Sequence, residues 1–443
     1  MKKIYSFFII AIILSFQLFS QSTGKIAGKI IDKETKQPIP FAAVKVEGTS
    51  LGANADDKGS FIILNIPSGV YNVSASLVGY QKQTINDIRV NVDFTTRIEF
   101  KLSIGKVDLP AIIVQGDRNP LIRQDLTNPT VAINSETIKE LPVDQISDVI
   151  RLQAGVVTDN DGALHVRGGR SNEIAYTLNG ISLNDPYGNS RSIGLAVNAV
   201  QEVSVSTGTF NAQYGNALSG VVNYVTKEGS EKYSFSIRGY IGDYFSKRSN
   251  LFPSIDKFQP FNRSRGELTF GGPIPEIDGA KFYFSSVYEN FKGSLYGIRL
   301  YKPTDSYLTR ENFTKAGDTR KGLSTDPYFF NPYDKLSNGK PTGDGGLIPM
   351  NPSQSLNLQG NLSYKITPTI KARYEAVYNW GKSKSYSTSY KYNPDGVGTS
   401  YGNGLVQSLD FTHTLNDNIF YTLKFSLGYN QSKYYLFENR SEE

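Results

Sequence analysis

Two histidines, His165 and His413, are the chain's whole supply of imidazole, and there is no cysteine. Zinc sites draw their ligands mostly from these two residue types. A multi-histidine metal centre is therefore not expected, and thiol catalysis, disulfide scaffolding and lipoprotein acylation are excluded. Asp159-Asn160-Asp161-Gly162 opens like a calcium loop, but the twelfth position holds Arg170 where a bidentate glutamate belongs. No Walker loop is present. These residues predict no enzyme, no metal and no cofactor, which leaves binding, transport or scaffolding. The net charge of +6 is spread along 443 residues, so no nucleic-acid partner is expected either.

The elements around these residues are those of a β-rich protein. Tyr (28), Phe (25) and Gly (41) are abundant while Trp (1) and Met (2) are scarce, and the first two favour strands while Gly favours turns and bulges. Met1-Lys2-Lys3, the apolar run Ile4 to Phe19 and Ser20-Gln21-Ser22 read as a secretory signal over residues 1–21. The run is shorter than the roughly 20 residues needed to span a bilayer. Any membrane placement must then be as a β-barrel.

Residues 24–104 break into about seven short strand-prone runs, with Tyr71, Val73, Ala75 and Leu77 alternating against polar neighbours, and predict a β-sandwich. Gly28, Asp32, Thr35, Pro38, Gly48-Thr49, Asp56, Gly59, Phe61, Gly69, Tyr71 and Gly79-Tyr80 resemble the carboxypeptidase-regulatory-like domain. That resemblance implies a non-catalytic module of the kind found ahead of outer-membrane receptors, either a periplasmic accessory domain or an inert spacer.

Residues 105–115 read as a linker holding an extended apolar segment, open to strand addition by a partner or to use as the first strand of the next domain. In 116–229, Ser135 is expected to cap a helix ending at Pro142, and Asp144 a second one that buries Ile146, Val149 and Ile150 before Gly155. Asn179-Gly180 between apolar alternations predicts a tight turn. Val166, Arg167, Gly168, Tyr176 and Gly180, followed by Glu202, Val203, Tyr214, Gly215, Gly220, Val221, Asn223, Thr226 and Lys227, resemble the plug domain of TonB-dependent receptors, with Asn179 standing for the usual Asp and Arg170 close by.

From Lys232 the hydrophobic period becomes two over runs of 10 to 13 residues, too long for ordinary soluble strands. Seven strands are expected, with alternating short and long links, as in outer-membrane barrels. Residues 230–443 thus read as the first part of a transmembrane antiparallel barrel, since such plugged barrels hold about 22 strands. The fold class expected is mainly β: sandwich, mixed α+β plug and incomplete barrel.

The resemblance implies an outer-membrane receptor for TonB-energised uptake of a scarce solute, whether siderophore, glycan or peptide, with its N-terminal domain in the periplasm. An adhesin or signalling receptor on the same scaffold is the alternative. Implied partners are TonB with its ExbB/ExbD motor, outer-membrane lipid, an extracellular solute and a surface lipoprotein. By position, Asp108, Leu109, Ala111, Ile112, Ile113 and Val114 would be the TonB box, interrupted by Pro110. A plug arginine bridges to barrel carboxylates in the family, so Arg167 is expected to pair with Glu267 and Glu375, both on the lumen-facing parity. A solvated loop arginine is the other reading.

Overall fold

The computed structural model describes residues 23–49, 51–92, 94–105, 112–115, 130–159, 162–210, 214–249, 252–303, 343–416 and 419–437. The signal segment, the Asp108, Leu109 and Ala111 positions, and Asn160 and Asp161 lie outside them.

The first module is β1 (Thr23–Asp32), β2 (Ala43–Val46), β3 (Gly52–Asn54), β4 (Ser60–Pro67), β5 (Gly69–Ser76), β6 (Gln83–Val90), β7 (Thr95–Leu102) and β8 (Ile112–Gln115). They form two facing sheets, β4-β1-β7 and β3-β2-β5-β6-β8. Alternate side chains from both, among them Ile26, Ile30, Phe61, Ile63, Val73 and Phe100, fill the space between, as expected when each strand turns one face to a shared core. Of the segment 105–115 read as a linker, its last four residues form β8, which pairs in parallel with β6, from Gln83↔Ile112 to Asn86↔Gln115. A short apolar run satisfies its backbone at the nearest open sheet edge.

The second module has β9 (Thr130–Asn134), helices Ser135–Glu140 and Ile146–Arg151, β10 (Val156–Thr158), β11 (Leu164–Val166), β12 (Ile174–Leu178), β13 (Ile181–Ser182), β14 (Val200–Thr207) and β15 (Gly220–Thr226). Its main sheet runs β13-β12-β15-β14-β9. β12 and β15 pair in parallel and every residue of both is buried, the pattern of strands covered on both faces. Ile146, Val149 and Ile150 are buried as expected. Both caps shift, however. Asn134, not Ser135, accepts the Thr137 amide. The second helix starts after Gln145 without a side-chain cap, because the Asp144 carboxylate is engaged by Arg263.

The third module is one antiparallel meander of seven strands: β16 (Ser234–Gly242), β17 (Arg263–Pro273), β18 (Ala280–Phe291), β21 (Ser353–Thr367), β22 (Ile370–Ser383), β23 (Thr399–Asn416) and β24 (Ile419–Tyr435). Between β18 and β21, the loop holds a small hairpin, β19 (Tyr296–Ile298) with β20 (Leu347–Pro349). Links alternate tight and long as the sequence predicts. One face carries exposed Phe284, Leu362, Tyr374, Leu409 and Phe425, the apolar band of a lipid-facing wall. Its other face buries Arg265, Glu267, Gln359, Asn361, Arg373, Glu375 and Asp410. The sheet is an open arc, with β16 and β24 each pairing on one side only among the described residues. No helix among those residues is long and apolar enough to cross a membrane.

Candidate functional site

The plug meets the barrel wall at the Asn179-Gly180 turn. Both residues have positive φ, 50° and 82°, which Asn and Gly tolerate best. The turn thrusts a fully buried Asn179 against β22. Its Nδ2 donates to Glu375 Oε2 at 2.5 Å and to Thr226 Oγ1 at 2.8 Å, while its Oδ1 accepts the Thr226 amide at 3.1 Å. Thr226 Oγ1 donates to Glu375 Oε1 at 2.7 Å, and Gln359 Nε2 donates to the same oxygen at 2.9 Å. Arg373, two residues along the strand, balances the carboxylate at 3.3 Å. Lys424 of β24 donates to the Asn179 carbonyl. Buried charge is tolerable only when paired and fully hydrogen-bonded, and Glu375 meets that condition through two plug side chains and two barrel ones.

Further polar contacts surround this lock. Tyr283 and Ser285 hold Asn198, Asn379 donates to the Gly194 carbonyl, and Asn361 donates to the Lys227 carbonyl. A second cluster joins Asp144 of the plug to Arg263 at 3.3 Å, with its carbonyl accepting from Arg265 at 3.0 Å.

Glu228, just after β15, lies 2.6 Å from Lys371 and 3.5 Å from Arg373. Burial alone would push its carboxyl up, but the two cations outweigh burial and hold it at about 2. A carboxylate lowered from about 4.5 contributes stability that is complete above that value and lost as pH falls toward about 2. Acid titration should therefore loosen β15 within that window, read as faster hydrogen exchange. Lys371→Met should move the loss to higher pH; coincident titrations of the two proteins would contradict this role.

Among the described residues, no ion pair joins Arg167 to Glu267 or Glu375. Glu267 does face the lumen, but it pairs with Arg265 at 2.8 Å. Arg167 is exposed and sits at φ 48° in the Val166–Gly169 turn, its guanidinium lying over Gly208. The reason is geometric: the turn that holds Arg167 is on the β11 side of the plug, while the Asn179 turn reaches the wall. Arg170 is also exposed, its amide donating to Glu173. Gly168 completes the turn at φ 79°, and Gly220 lets β15 close on Val166. Tyr176 is buried in the plug core, whereas Tyr214 is half-buried and Gly215 exposed on a loop. Of the TonB-box positions, Ile112, Ile113 and Val114 are in β8.

His165 serves the same loop. Its Nδ1 lies 2.9 Å from the Gly169 carbonyl and its Nε2 3.2 Å from the Asp159 carboxylate. Both neighbours are acceptors, so the imidazolium satisfies both contacts, and the Gly169 carbonyl and Asp159 raise the ring's pKa above its usual value. Such a contribution is complete below about 6.5 and is lost as pH rises through the raised value. Exchange protection of Val156–Thr158 and Leu164–Val166 should fall, beyond the intrinsic trend, as pH rises through the raised value, and should lose that step in His165→Gln.

A corked arc of membrane strands with an aliphatic and aromatic outer band defines a plugged outer-membrane barrel protein. The comparisons narrow this. Residues 26–114 match the CarboxypepD_reg-like domain and residues 123–222 the TonB-dependent Receptor Plug Domain. The chain is 26% identical over 391 residues to the TonB-dependent transporter Oar of Myxococcus xanthus, covering 78% of this chain and 36% of that one. It is 21% identical over 284 residues to the vitamin B12 transporter BtuB of Vibrio vulnificus, covering 62% and 43%. The solved outer membrane transporter YddB of Escherichia coli aligns with a TM-score of 0.46 at 12% identity, covering 68% of this chain and 38% of that one. This chain therefore carries a CarboxypepD_reg-like domain and a TonB-dependent receptor plug domain, followed by an arc of barrel-type strands, and is similar along most of its length to a TonB-dependent transporter. It spans less than half the length of the curated relatives it matches.

Proposed function

We propose that the receptor carrying this chain imports a solute too large for ordinary porins, drawing its energy from TonB in the periplasm. The observation that supports this best is the Asn179–Glu375 lock. A permanent wall would be packed with apolar side chains, whereas a cork that must yield is better held by hydrogen bonds that water can replace. Extracellular loops, including the Tyr-rich stretch Tyr386–Tyr401, would supply the binding surface. A segment ahead of the plug, with Ile112–Val114 as part of it, would take the pull, through contact with TonB and its ExbB/ExbD motor.

The test compares uptake of labelled solutes from spent medium in cells with and without a proton gradient. Uptake should stop when the gradient is collapsed and in a receptor lacking residues 106–115. Equal accumulation in all three conditions would overturn the import reading and favour adhesion.

A further inference from the structure

The sandwich is not a loose spacer in this structure. The connection from β6 to β7 would ordinarily be an exposed tip, yet Asn91, Val92 and Phe94 are 4%, 0% and 4% exposed. The Val92 amide donates to the carboxylate of Glu202 at 3.1 Å, and Glu202 itself is only 2% exposed. Beside it, Arg89 at the end of β6 pairs with Glu136 of the first plug helix at 2.9 Å. Burial pushes the Glu136 carboxyl up, but the Arg89 hydrogen bond and charge, together with its own helix amide and Ser135, outweigh this and leave it below its ordinary value. Glu202 follows a bulge: Val200 faces Thr226 but Glu202 faces Val225, so Gln201 is the extra residue. Bulges re-aim side chains, and this one brings a carboxylate of the plug sheet onto the sandwich.

We infer that the Arg89–Phe94 end of the sandwich is a latch whose partner is the periplasmic face of the plug, and that it must part before the plug can be remodelled. This rests on the import reading. β14 lies between β15 and β9 in the plug sheet, so rearranging that sheet moves Glu202. A buried carboxylate cannot lose a donor and stay dry; the contact therefore opens with water entry. β6 ties the latch to the segment ahead of the plug. Its first half carries β8, its Arg89 reaches Glu136, and the connection that follows it reaches Glu202. Displacing β8 thus loads the strand that holds the plug.

The chain has no cysteine, so Ser204→Cys, buried in β14, can report plug opening through labelling by fluorescein maleimide. The assay uses cells carrying the full receptor, with and without a protonophore. Arg89→Glu replaces attraction by repulsion and should raise labelling about fivefold; Glu202→Ala should raise it further. The exchange Arg89→Glu with Glu136→Arg should return labelling to the parent level, which a folding defect would not do. Labelling that responds to the protonophore but to neither latch variant overturns the latch and leaves import standing. Labelling that responds to the variants and the swap but never to the protonophore supports the latch and counts against import.

Discussion

Asn179→Asp should unseat the plug. The substitution is nearly isosteric and keeps the turn, since Asp also tolerates positive φ. It changes the sign of the contact: where Nδ2 now donates to Glu375 Oε2 at 2.5 Å, a second carboxylate would face the first. With Arg373 already committed to Glu375 and Thr226, the added charge has no cation of its own apart from Lys424, which donates to the Asn179 carbonyl. An uncompensated buried charge costs about 3–5 kcal/mol. In the full receptor this should appear as sensitivity to a large antibiotic that the outer membrane normally excludes, and as faster exchange of β12 and β15. Glu375→Gln added to Asn179→Asp should restore exclusion, because the amide can donate to the new carboxylate; the cycle isolates the pairwise effect. Arg167→Ala, exposed and remote from the wall, should do much less. If it leaked as much as Asn179→Asp, the lock would be misassigned.

Leu409→Arg should block assembly of the barrel wall. Leu409 sits in the middle of β23, half-exposed on the outward face, between Tyr374 of β22 and Phe425 of β24. An arginine at the bilayer midplane costs about 2–4 kcal/mol, falling to about 0–1 near the interface. Tyr421, near the periplasmic start of β24 and on the same face, gives the contrast. Heat-modifiable migration and the yield of receptor in outer-membrane fractions should fall for Leu409→Arg and change little for Tyr421→Arg. Equal yields would mean that this face does not meet hydrocarbon.

The plug fold was legible wherever a local rule sufficed. Asn179-Gly180 announced its turn because few other pairs accept two positive φ angles in succession. Ile146, Val149 and Ile150 announced a buried helix face by spacing alone. The caps were missed by one residue because Asn134 and Ser135 are both good caps by type, and only the observed geometry shows which one reaches the Thr137 amide. Asp144 looked like a cap because nothing local reveals that Arg263, 119 residues later, will claim it.

The partner of Glu375 was misread for a related reason. Strand parity correctly turned Glu375 and Glu267 inward, along with Arg373 and Lys424. Parity does not say which plug turn faces which stave. Glu267 was taken by Arg265 of its own strand, and Glu375 by an asparagine and a threonine rather than by Arg167.

By itself the sequence determined what repeats along the chain: the strand period of two, the alternation of link lengths and the turn chemistry, along with the absence of thiols. These follow from backbone geometry and residue type, which act over a few positions. Tertiary structure alone decided which distant surfaces meet, namely the plug turn with β22, the β6–β7 connection with Glu202, and β8 with the sandwich. Such pairings follow from the mutual orientation of modules, and a buried charge takes whichever donor that orientation delivers.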